Sequence, residues 1–347
     1  MSITRSGDSP DRIIFLEVSM LDTKPTRNLA LELVRVTEAA ALAAGRFMGR
    51  GEKVAADKAA VDAMRLVMNS IQMDGVIVIG EGEKDQAPML FNGEKIGTGD
   101  PPMVDIAVDP IDGTRPLADG MSNSIATVAL APRGAMFNPG PFVYMHKLAV
   151  GAFAKDVIDI NAPVTDNLTK IANAKGVDVN DLTVVILDRP RHEQLIAEVR
   201  RCGARIRLIH DGDVSGALMT SWPESHIDAL FGIGGTPEGV LAACALRCMG
   251  GTMQGKLHAR TPEELQLGKR MGIDFDQILT LDDLVSSENV FFAATGITEG
   301  ALLEGVDYFA GGAHTDSLVM RGLTGTVRRI LATHRLDKLS EIGEIEY

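Results

Sequence analysis

Residues 109–114 read Asp-Pro-Ile-Asp-Gly-Thr and place two carboxylates, a glycine and a hydroxyl within one short segment. Carboxylate oxygens suit hard cations such as Mg²⁺ or Mn²⁺, and backbone N–H groups beside a glycine suit phosphate. An ordinary surface turn uses the same residue types. The segment 104–108, Val-Asp-Ile-Ala-Val, favours a site, because it predicts a short buried strand that delivers Asp109 at its carboxyl end.

A second acidic cluster follows another apolar run. Residues 75–79 have the pattern of a strand buried on both faces, and Glu81, Glu83 and Asp85 come directly after it. We expect the two clusters to meet on neighbouring strands. Asp57 lies one turn before Val61 on the core-facing side of a predicted helix, where a carboxylate is costly unless it is paired or bound to metal. The alternative for Asp57 is a partner of the helix dipole.

The second half alternates strands at 184–187, 205–209 and 227–233 with helices, which predicts a parallel-type sheet. Ligands bind beyond the carboxyl ends of such strands. Polar segments follow all three ends: 188–191, 211–213 and 234–239.

Two of these segments carry candidate ligand-binding side chains. Arg189 and Arg191 suit a phosphate through charge-assisted hydrogen bonds, although helix-start salt bridges would use the same residues. Pro237 is expected in the first turn of its helix, which puts Glu238 at the positive end of the helix dipole.

The elements predict an α/β protein with a mixed sheet in its first half and a parallel-type sheet in its second. We interpret residues 1–26 as an N-terminal extension and 27–165 as a metal-binding α+β domain. Residues 166–347 are interpreted as an α/β substrate domain whose tail packs back on the body. The first helix is expected at 28–48.

Composition narrows the functional classes. The formal net charge of −13 argues against nucleic acid as a partner. No apolar run reaches membrane-spanning length and no signal peptide is expected, so we predict a cytoplasmic protein without a membrane partner. The three cysteines are expected to be reduced. Residues 250–256 fit G-x-x-x-x-G-K, but Leu257 stands where a P-loop needs Ser or Thr, so a P-loop is rejected.

The chain resembles the class II fructose-1,6-bisphosphatases of bacteria, which belong to the superfamily of metal-dependent sugar phosphatases. The matching segments lie in order at 49–53, 57, 78–83, 87–90, 109–114, 188–192, 211–213 and 232–239. Arg115 and Pro116 depart from the pattern, which more often has a small polar residue after the motif. The resemblance implies a layered αβαβα fold, usually in a homo-oligomer, here a homotetramer or homodimer.

The resemblance also implies a reaction and a set of site residues. The reaction is hydrolysis of the 1-phosphate of fructose 1,6-bisphosphate, a step of gluconeogenesis, with Mg²⁺ or Mn²⁺ as cofactor. The implied metal ligands are Asp57, Glu81, Asp109, Asp112 and Glu238. The implied substrate contacts are Asp112, Gly113, Thr114, Tyr144, Arg189, Pro190, Arg191, Asp211, Gly212, Asp213 and Gly235. Thr114 paired with Asp57 is expected to orient the attacking water, and Glu83 and Asp85 are candidates for holding a further ion or a proton.

Three alternatives stay open. The enzyme could also use sedoheptulose 1,7-bisphosphate, or it could have a sister activity such as inositol monophosphatase or phosphonucleotide phosphatase. The Arg-Pro-Arg and Asp-Gly-Asp segments oppose a monophosphate substrate, because a monophosphate needs no second anionic pocket. A catalytically silent binding protein would fit the loss of a ligand or of Thr114, and the sequence retains all of them.

Overall fold

The computed structural model of the chain describes residues 28–80 and 90–342. The predicted N-terminal extension and the cluster of Glu81, Glu83 and Asp85 lie outside the described residues. Among those residues no helix combines the length and the apolar character that crossing a membrane requires.

The described residues form helices and strands that alternate along the chain. The helices are α1 Ala30–Ala44, α2 Lys53–Asn69, α3 Thr114–Asp119, α4 Val164–Lys175, α5 Glu193–Arg201, α6 Asp213–Met219, α7 Thr236–Met249, α8 Pro262–Met271, α9 Leu281–Leu284 and α10 Leu336–Ile342. The strands are β1 Asp74–Ile79, β2 Lys95–Ile96, β3 Met103–Asp112, β4 Ile125–Pro132, β5 Tyr144–Val150, β6 Thr183–Leu187, β7 Arg205–Ile209, β8 Ala229–Gly235, β9 Thr252–Leu257, β10 Phe291–Gly296, β11 Asp307–Phe309, β12 Gly312–Arg321 and β13 Thr326–Arg335.

The strands build two mixed sheets. In the first, the order is β11-β12-β10-β4-β3-β1-β2 and β13 also pairs with β12. Within the described part of the chain, β1 and β3 are the pair of this sheet that runs parallel, and its other ladders are antiparallel. In the second sheet the order is β7-β6-β8-β5-β9. The α/β class is therefore confirmed.

The second sheet is only partly parallel. β6 pairs in parallel with β7 and β8, as the alternating pattern predicts, whereas β5 runs antiparallel to both β8 and β9. The three strands from which a parallel-type sheet was predicted thus run parallel, and β5, which comes from the first half of the chain, makes the sheet mixed. Residues 250–256, rejected as a P-loop, lead into and largely form the edge strand β9.

The layers follow the αβαβα order. α1 and α2 cover the outer face of the first sheet, where Leu33, Val36 and Met64 are buried. α6 and α7 lie between the two sheets and share one apolar cluster with both. α4 and α5 cover the outer face of the second sheet. The middle layer is the place where segments of the two sheets meet.

Sheet membership crosses the predicted domain boundary, which itself stays a prediction. β5 precedes residue 165 but belongs to the second sheet, while β10, β12 and β13 come from the last third of the chain and extend the first sheet beside β4. The predicted first helix is shorter than 28–48: α1 ends at Ala44, and a 3₁₀ turn at Gly45–Phe47 follows it.

Candidate active site

The Asp-Pro-Ile-Asp-Gly-Thr segment is a bulged strand end. β3 does not stop at Val108 as predicted but continues to Asp112, and its pairing with β4 shifts between Asp109 and Asp112. The Ile111 N–H donates to Asp109 Oδ1 at 3.0 Å, and the Thr127 hydroxyl donates to the Asp109 carbonyl at 3.3 Å. An extra residue of this kind changes the direction of the side chains that follow. The bulge therefore directs Asp109 and Asp112 differently.

Gly113 makes the turn from this strand into α3. It has φ 103°, a conformation that favours glycine, and its carbonyl accepts a hydrogen bond from the Ser124 hydroxyl at 2.7 Å. α3 then begins at Thr114. Pro116 falls in its first turn, where proline is tolerated, so the departure at Arg115 and Pro116 leaves the helix start intact.

Thr114 and Asp57 are in contact, as expected. The Thr114 hydroxyl lies 3.1 Å from Asp57 Oδ1 and 3.3 Å from the Ile111 carbonyl, and it can donate to either. Burial raises the pKa of Asp57, and the hydrogen bond from Thr114 opposes that rise. An interaction of Asp57 with the dipole of its own helix, α2, would not require a contact with α3. The hydrogen bond with Thr114 therefore favours a role for Asp57 in the site.

Asp112 connects the two halves of the molecule. Its side chain is 3% exposed, and Oδ2 accepts a hydrogen bond from the Ser215 N–H in the first turn of α6 at 3.0 Å. Burial, and then the neighbouring Asp213, raise the pKa of Asp112 well above its usual range. Gly212 leads into α6 with φ 85° and approaches Asp112 closely.

Glu238 lies in the first turn of α7 next to Pro237, as predicted. Its Oε2 atom is inaccessible to solvent and makes no hydrogen bond. Burial, followed by the charge of Asp213, raises the pKa of Glu238 to about 7, while Lys147 opposes the rise. A Cβ at residue 235 would lie 1.7 Å from Oε2, so Gly235 leaves the room that the carboxylate occupies.

A cavity of about 250 Å³ lies at the carboxyl ends of β6, β7 and β8. It brings together many of the residues predicted from sequence. These are Tyr144, Arg189, Arg191, Asp211, Asp213, Gly235 and Glu238. Asp57, Asp109, Asp112 and Thr114 do not line this cavity. Asp112 lies close to it, because Ser215 of α6 donates to it and the charges of Asp213 and Glu238 act on it.

The two arginines are held differently. Arg191 donates from Nε and Nη2 to the Ile233 carbonyl at 3.0 and 2.7 Å, and its Cζ lies 5.4 Å from the centroid of the Tyr144 ring. Arg189 Nη2 lies 3.6 Å from Asp211 Oδ1. Arg191 is therefore fixed by the backbone, whereas Arg189 is paired with a carboxylate. Both residues line the cavity.

His192 fixes the loop that carries these arginines. Its Nδ1 lies 2.7 Å from the Leu187 carbonyl, and its Nε2 accepts a hydrogen bond from the Ile233 N–H at 2.8 Å. Because Nε2 accepts, Nδ1 donates and the ring is neutral, in agreement with a pKa lowered by burial. Pro190 begins the short 3₁₀ turn Pro190–His192 between β6 and α5.

The donor chemistry fits a hard divalent cation. Asp112, Asp213 and Glu238 crowd together, and one buried carboxylate oxygen of Glu238 lacks a hydrogen-bond partner. Within residues 28–80 and 90–342, no set of three or more His, Cys, Asp or Glu side chains is arranged to hold a metal ion. Glu81, one of the five expected ligands, lies outside those ranges.

Sequence reasoning missed Lys147, Ser215 and Arg260. Lys147 is buried and donates to Asp213, Ser215 acts through its backbone, and Arg260 lies 5.3 Å from the Tyr144 ring centroid. The lysine directly before the apolar run 148–150 of β5 was an available signal for the first. Ser215 donates through its backbone N–H, a group that every residue except proline has. Its side-chain type therefore does not identify it from the sequence.

Comparison with known proteins defines the class of protein to which this fold and site belong. The family described as bacterial fructose-1,6-bisphosphatase, glpX-encoded, matches residues 27–334. The chain belongs to this family.

Individual relatives give the particular type. Fructose-1,6-bisphosphatase 1 class 2 of Escherichia coli strain K12 is 48% identical over 325 residues, which cover 90% of this chain and 96% of the relative. The class 2 fructose-1,6-bisphosphatases of Escherichia coli O6:H1 and Shigella flexneri match to the same extent.

Proposed function

We propose that this chain is a phosphoric monoester hydrolase that converts fructose 1,6-bisphosphate to fructose 6-phosphate and phosphate, a step of gluconeogenesis. The observation that carries the proposal is the hydrogen bond from Ser215 to Asp112. It brings the acidic segment of the first sheet to a cavity of the second sheet that is bordered by Arg189 and Arg191. Carboxylates that hold cations beside one phosphate, and arginines that bind the other, suit a substrate with two phosphates.

Asp57, Asp109, Asp112 and Glu238, together with Glu81, would hold divalent cations. When bound, Mg²⁺ or Mn²⁺ supplies charge neutralisation at phosphate oxygens and lowers the pKa of a water molecule. The crowding of carboxylates around Asp112 supports this assignment, because bound cations would relieve their repulsion.

The side chains of the chain would bind and orient the reactants. Thr114 can donate its proton to Asp57, which leaves the hydroxyl oxygen free to accept a hydrogen bond from the attacking water. The new bond joins the water oxygen to phosphorus, and the bond that breaks joins phosphorus to the oxygen on carbon 1, which ends as a hydroxyl with one of the protons of the water. Glu83 and Asp85 are further candidates for holding an ion or a proton.

The sugar and its second phosphate would occupy the cavity. Arg189 and Arg191 would bind the 6-phosphate beside Tyr144, and Asp211 and Asp213 would accept hydrogen bonds from sugar hydroxyls. Gly113, Pro190, Gly212 and Gly235 would contribute close backbone approaches. Binding energy from this remote end positions the reacting phosphate.

The test is phosphate release from a panel of substrates. The panel contains fructose 1,6-bisphosphate, sedoheptulose 1,7-bisphosphate, inositol monophosphate and a phosphonucleotide, each with Mg²⁺, Mn²⁺ or EDTA. We expect turnover of fructose 1,6-bisphosphate with Mg²⁺ or Mn²⁺ and none in EDTA. Full activity in EDTA would remove the metal from the mechanism, and preference for a monophosphate would assign the chain a sister activity.

We also propose a homodimer or homotetramer in the cytoplasm. β13 lies at the edge of the first sheet and carries Leu331 with 77% of its surface exposed, which supports contact with another copy. Light scattering at several protein concentrations tests this, and a monomer throughout would contradict it.

A further inference from the structure

Lys147 is a lysine that the structure buries almost completely, with 2% of its surface exposed. It lies on β5, between β8 and β9, and its cross-strand neighbours are Gly232 and Gly255. A Cβ at Gly239 of α7 would lie 3.5 Å from Lys147 Cε. The absence of a side chain at Gly239 therefore leaves room for the stem of the lysine, whereas a Cβ at Gly232 or Gly255 would meet His192 or Met145 instead.

Burying an ammonium group is unfavourable unless a partner compensates for the lost water. The partner here is Asp213: Lys147 Nζ donates to Asp213 Oδ2 at 2.7 Å, and the two side chains are 2% and 8% exposed. A Cβ at residue 234 would lie 1.9 Å from Oδ2 and 3.2 Å from Nζ. Gly234 therefore allows this ion pair to pack directly against β8.

The ion pair borders the cavity that we assign to the sugar. Asp213 lines this cavity, whereas Lys147 does not. Because Lys147 donates to Oδ2, Oδ1 is the oxygen that remains to accept a hydrogen bond from a ligand. Asp112, Asp211 and Glu238 surround Asp213 with further negative charge, which would push an unheld carboxylate away.

We propose that Lys147 is a positioning residue that holds Asp213 through Oδ2, so that Oδ1 accepts a hydrogen bond from a sugar hydroxyl. The inference rests on the proposed function, because it takes Asp213 as a substrate contact. Lys147 itself touches neither the substrate nor the reacting phosphate. Its loss should therefore weaken binding of the sugar more than it slows the chemical step.

The experiment is a double-mutant cycle with Lys147→Met, Asp213→Asn and the double variant, assayed with fructose 1,6-bisphosphate. Loss of a charge-assisted hydrogen bond predicts a KM raised about 10- to 100-fold in each single variant. We expect kcat to change much less than KM. The double variant should match Asp213→Asn alone, because Lys147 has nothing to position once Asp213 is replaced.

Lys175→Met is the control, because Lys175 pairs with the buried Asp228 away from the cavity, although its own side chain is 37% exposed. It should leave KM unchanged even if it lowers the melting temperature. Lys147→Gln keeps a hydrogen-bond donor without the charge and replaces Lys147→Met in the experiment if that variant does not fold. The KM of Lys147→Gln should rise, but by less than that of Lys147→Met.

Three results overturn the inference. One is an unchanged KM in a folded Lys147 variant, and another is a double variant whose losses are additive. The third is an Asp213→Asn variant that binds the sugar normally. The proposed function fails separately, if the wild-type chain releases no phosphate from fructose 1,6-bisphosphate.

Discussion

The Ser215 N–H donates to Asp112 Oδ2 at 3.0 Å, so a strand of the first sheet and a helix of the middle layer share one hydrogen bond. Two variants of Asp112 isolate the contribution of this hydrogen bond, because both lack the charge of the carboxylate. Asp112→Asn retains an oxygen for Ser215, whereas Asp112→Ala leaves a buried N–H without a partner. We expect the free energy of unfolding of the alanine variant to be about 1–3 kcal/mol lower than that of the asparagine variant. Urea denaturation without metal measures the difference, and equal stabilities would show that the bond contributes nothing.

Thr114→Ala removes the hydroxyl that contacts Asp57. If this hydroxyl orients the attacking water, kcat should fall about 100-fold or more, while metal affinity stays near that of the wild type. Thr114→Ser is the control, because it keeps the hydroxyl and should retain most of the turnover. Steady-state kinetics and a metal titration followed by melting temperature make the measurement. Full turnover in Thr114→Ala would place the orienting group elsewhere.

Arg191→Ala should raise KM for the bisphosphate about tenfold or more and barely change the hydrolysis of small test phosphates. Arg191 borders the cavity and is fixed by the Ile233 carbonyl. Arg260 is the matched control: it lies as close to the Tyr144 ring but pairs with Glu264. Arg260→Ala should have the smaller effect. Equal losses on both kinds of substrate would assign Arg191 to the phosphate that is cleaved.

Glu238→Gln keeps the shape of the side chain and removes one of the crowded charges. Without metal, the variant should melt at or above the wild-type temperature, because repulsion with Asp112 and Asp213 is relieved. Mn²⁺ should raise its melting temperature less than in the wild type, and its activity should be near background.

The chain offers a close control at the start of α8. Thr261, Pro262 and Glu263 repeat the order of Thr236, Pro237 and Glu238, but Glu263 is an exposed first-turn acid. Glu263→Gln should leave the effect of Mn²⁺ and the activity unchanged. If the two variants behaved alike, Glu238 would be only a partner of its helix dipole.

Glu38 gives a pH dependence that is independent of the site. Burial in α1 raises its pKa from 4.5 to about 7, against a hydrogen bond with Thr315. Between these two values the folded state binds more protons than the unfolded state, so the free energy of unfolding should fall as pH rises. The loss should be of the order of 3 kcal/mol by pH 8. Glu38→Gln should flatten this slope in urea denaturation between pH 5 and 8, and an unaltered slope would contradict the assignment.

Local patterns in the sequence predict local structure well here. The runs that form β1, β6, β7 and β8 are recognisable from their apolar residues, and Pro237 correctly marks the first turn of α7. Clusters of chemically active residues after strand ends also predict which side chains line the cavity. These inferences need only neighbours along the chain, which is why they succeed.

Pairings between segments that are distant along the chain are harder to predict from the sequence. An apolar run is compatible with either strand direction and with either sheet, so the sequence does not reveal that β5 joins the second sheet antiparallel. The sequence does not predict the bulge in β3, because aspartate, the residue type of Asp109 and Asp112, is common in turns. Burial of Lys147 depends on Gly234 of β8 and Gly239 of α7, and only the assembled fold brings them together.

The pairing of β4 with β10 has a consequence for synthesis of the protein. β4 ends at Pro132 and its partner begins at Phe291, so one edge of β4 has no native partner until most of the chain has been translated. At ribosomal rates this delay is on the order of 10 s. During that time a nascent chain exposes an apolar strand edge that other chains could join. We therefore expect the first sheet to be complete only after residue 335, the end of β13, has been translated.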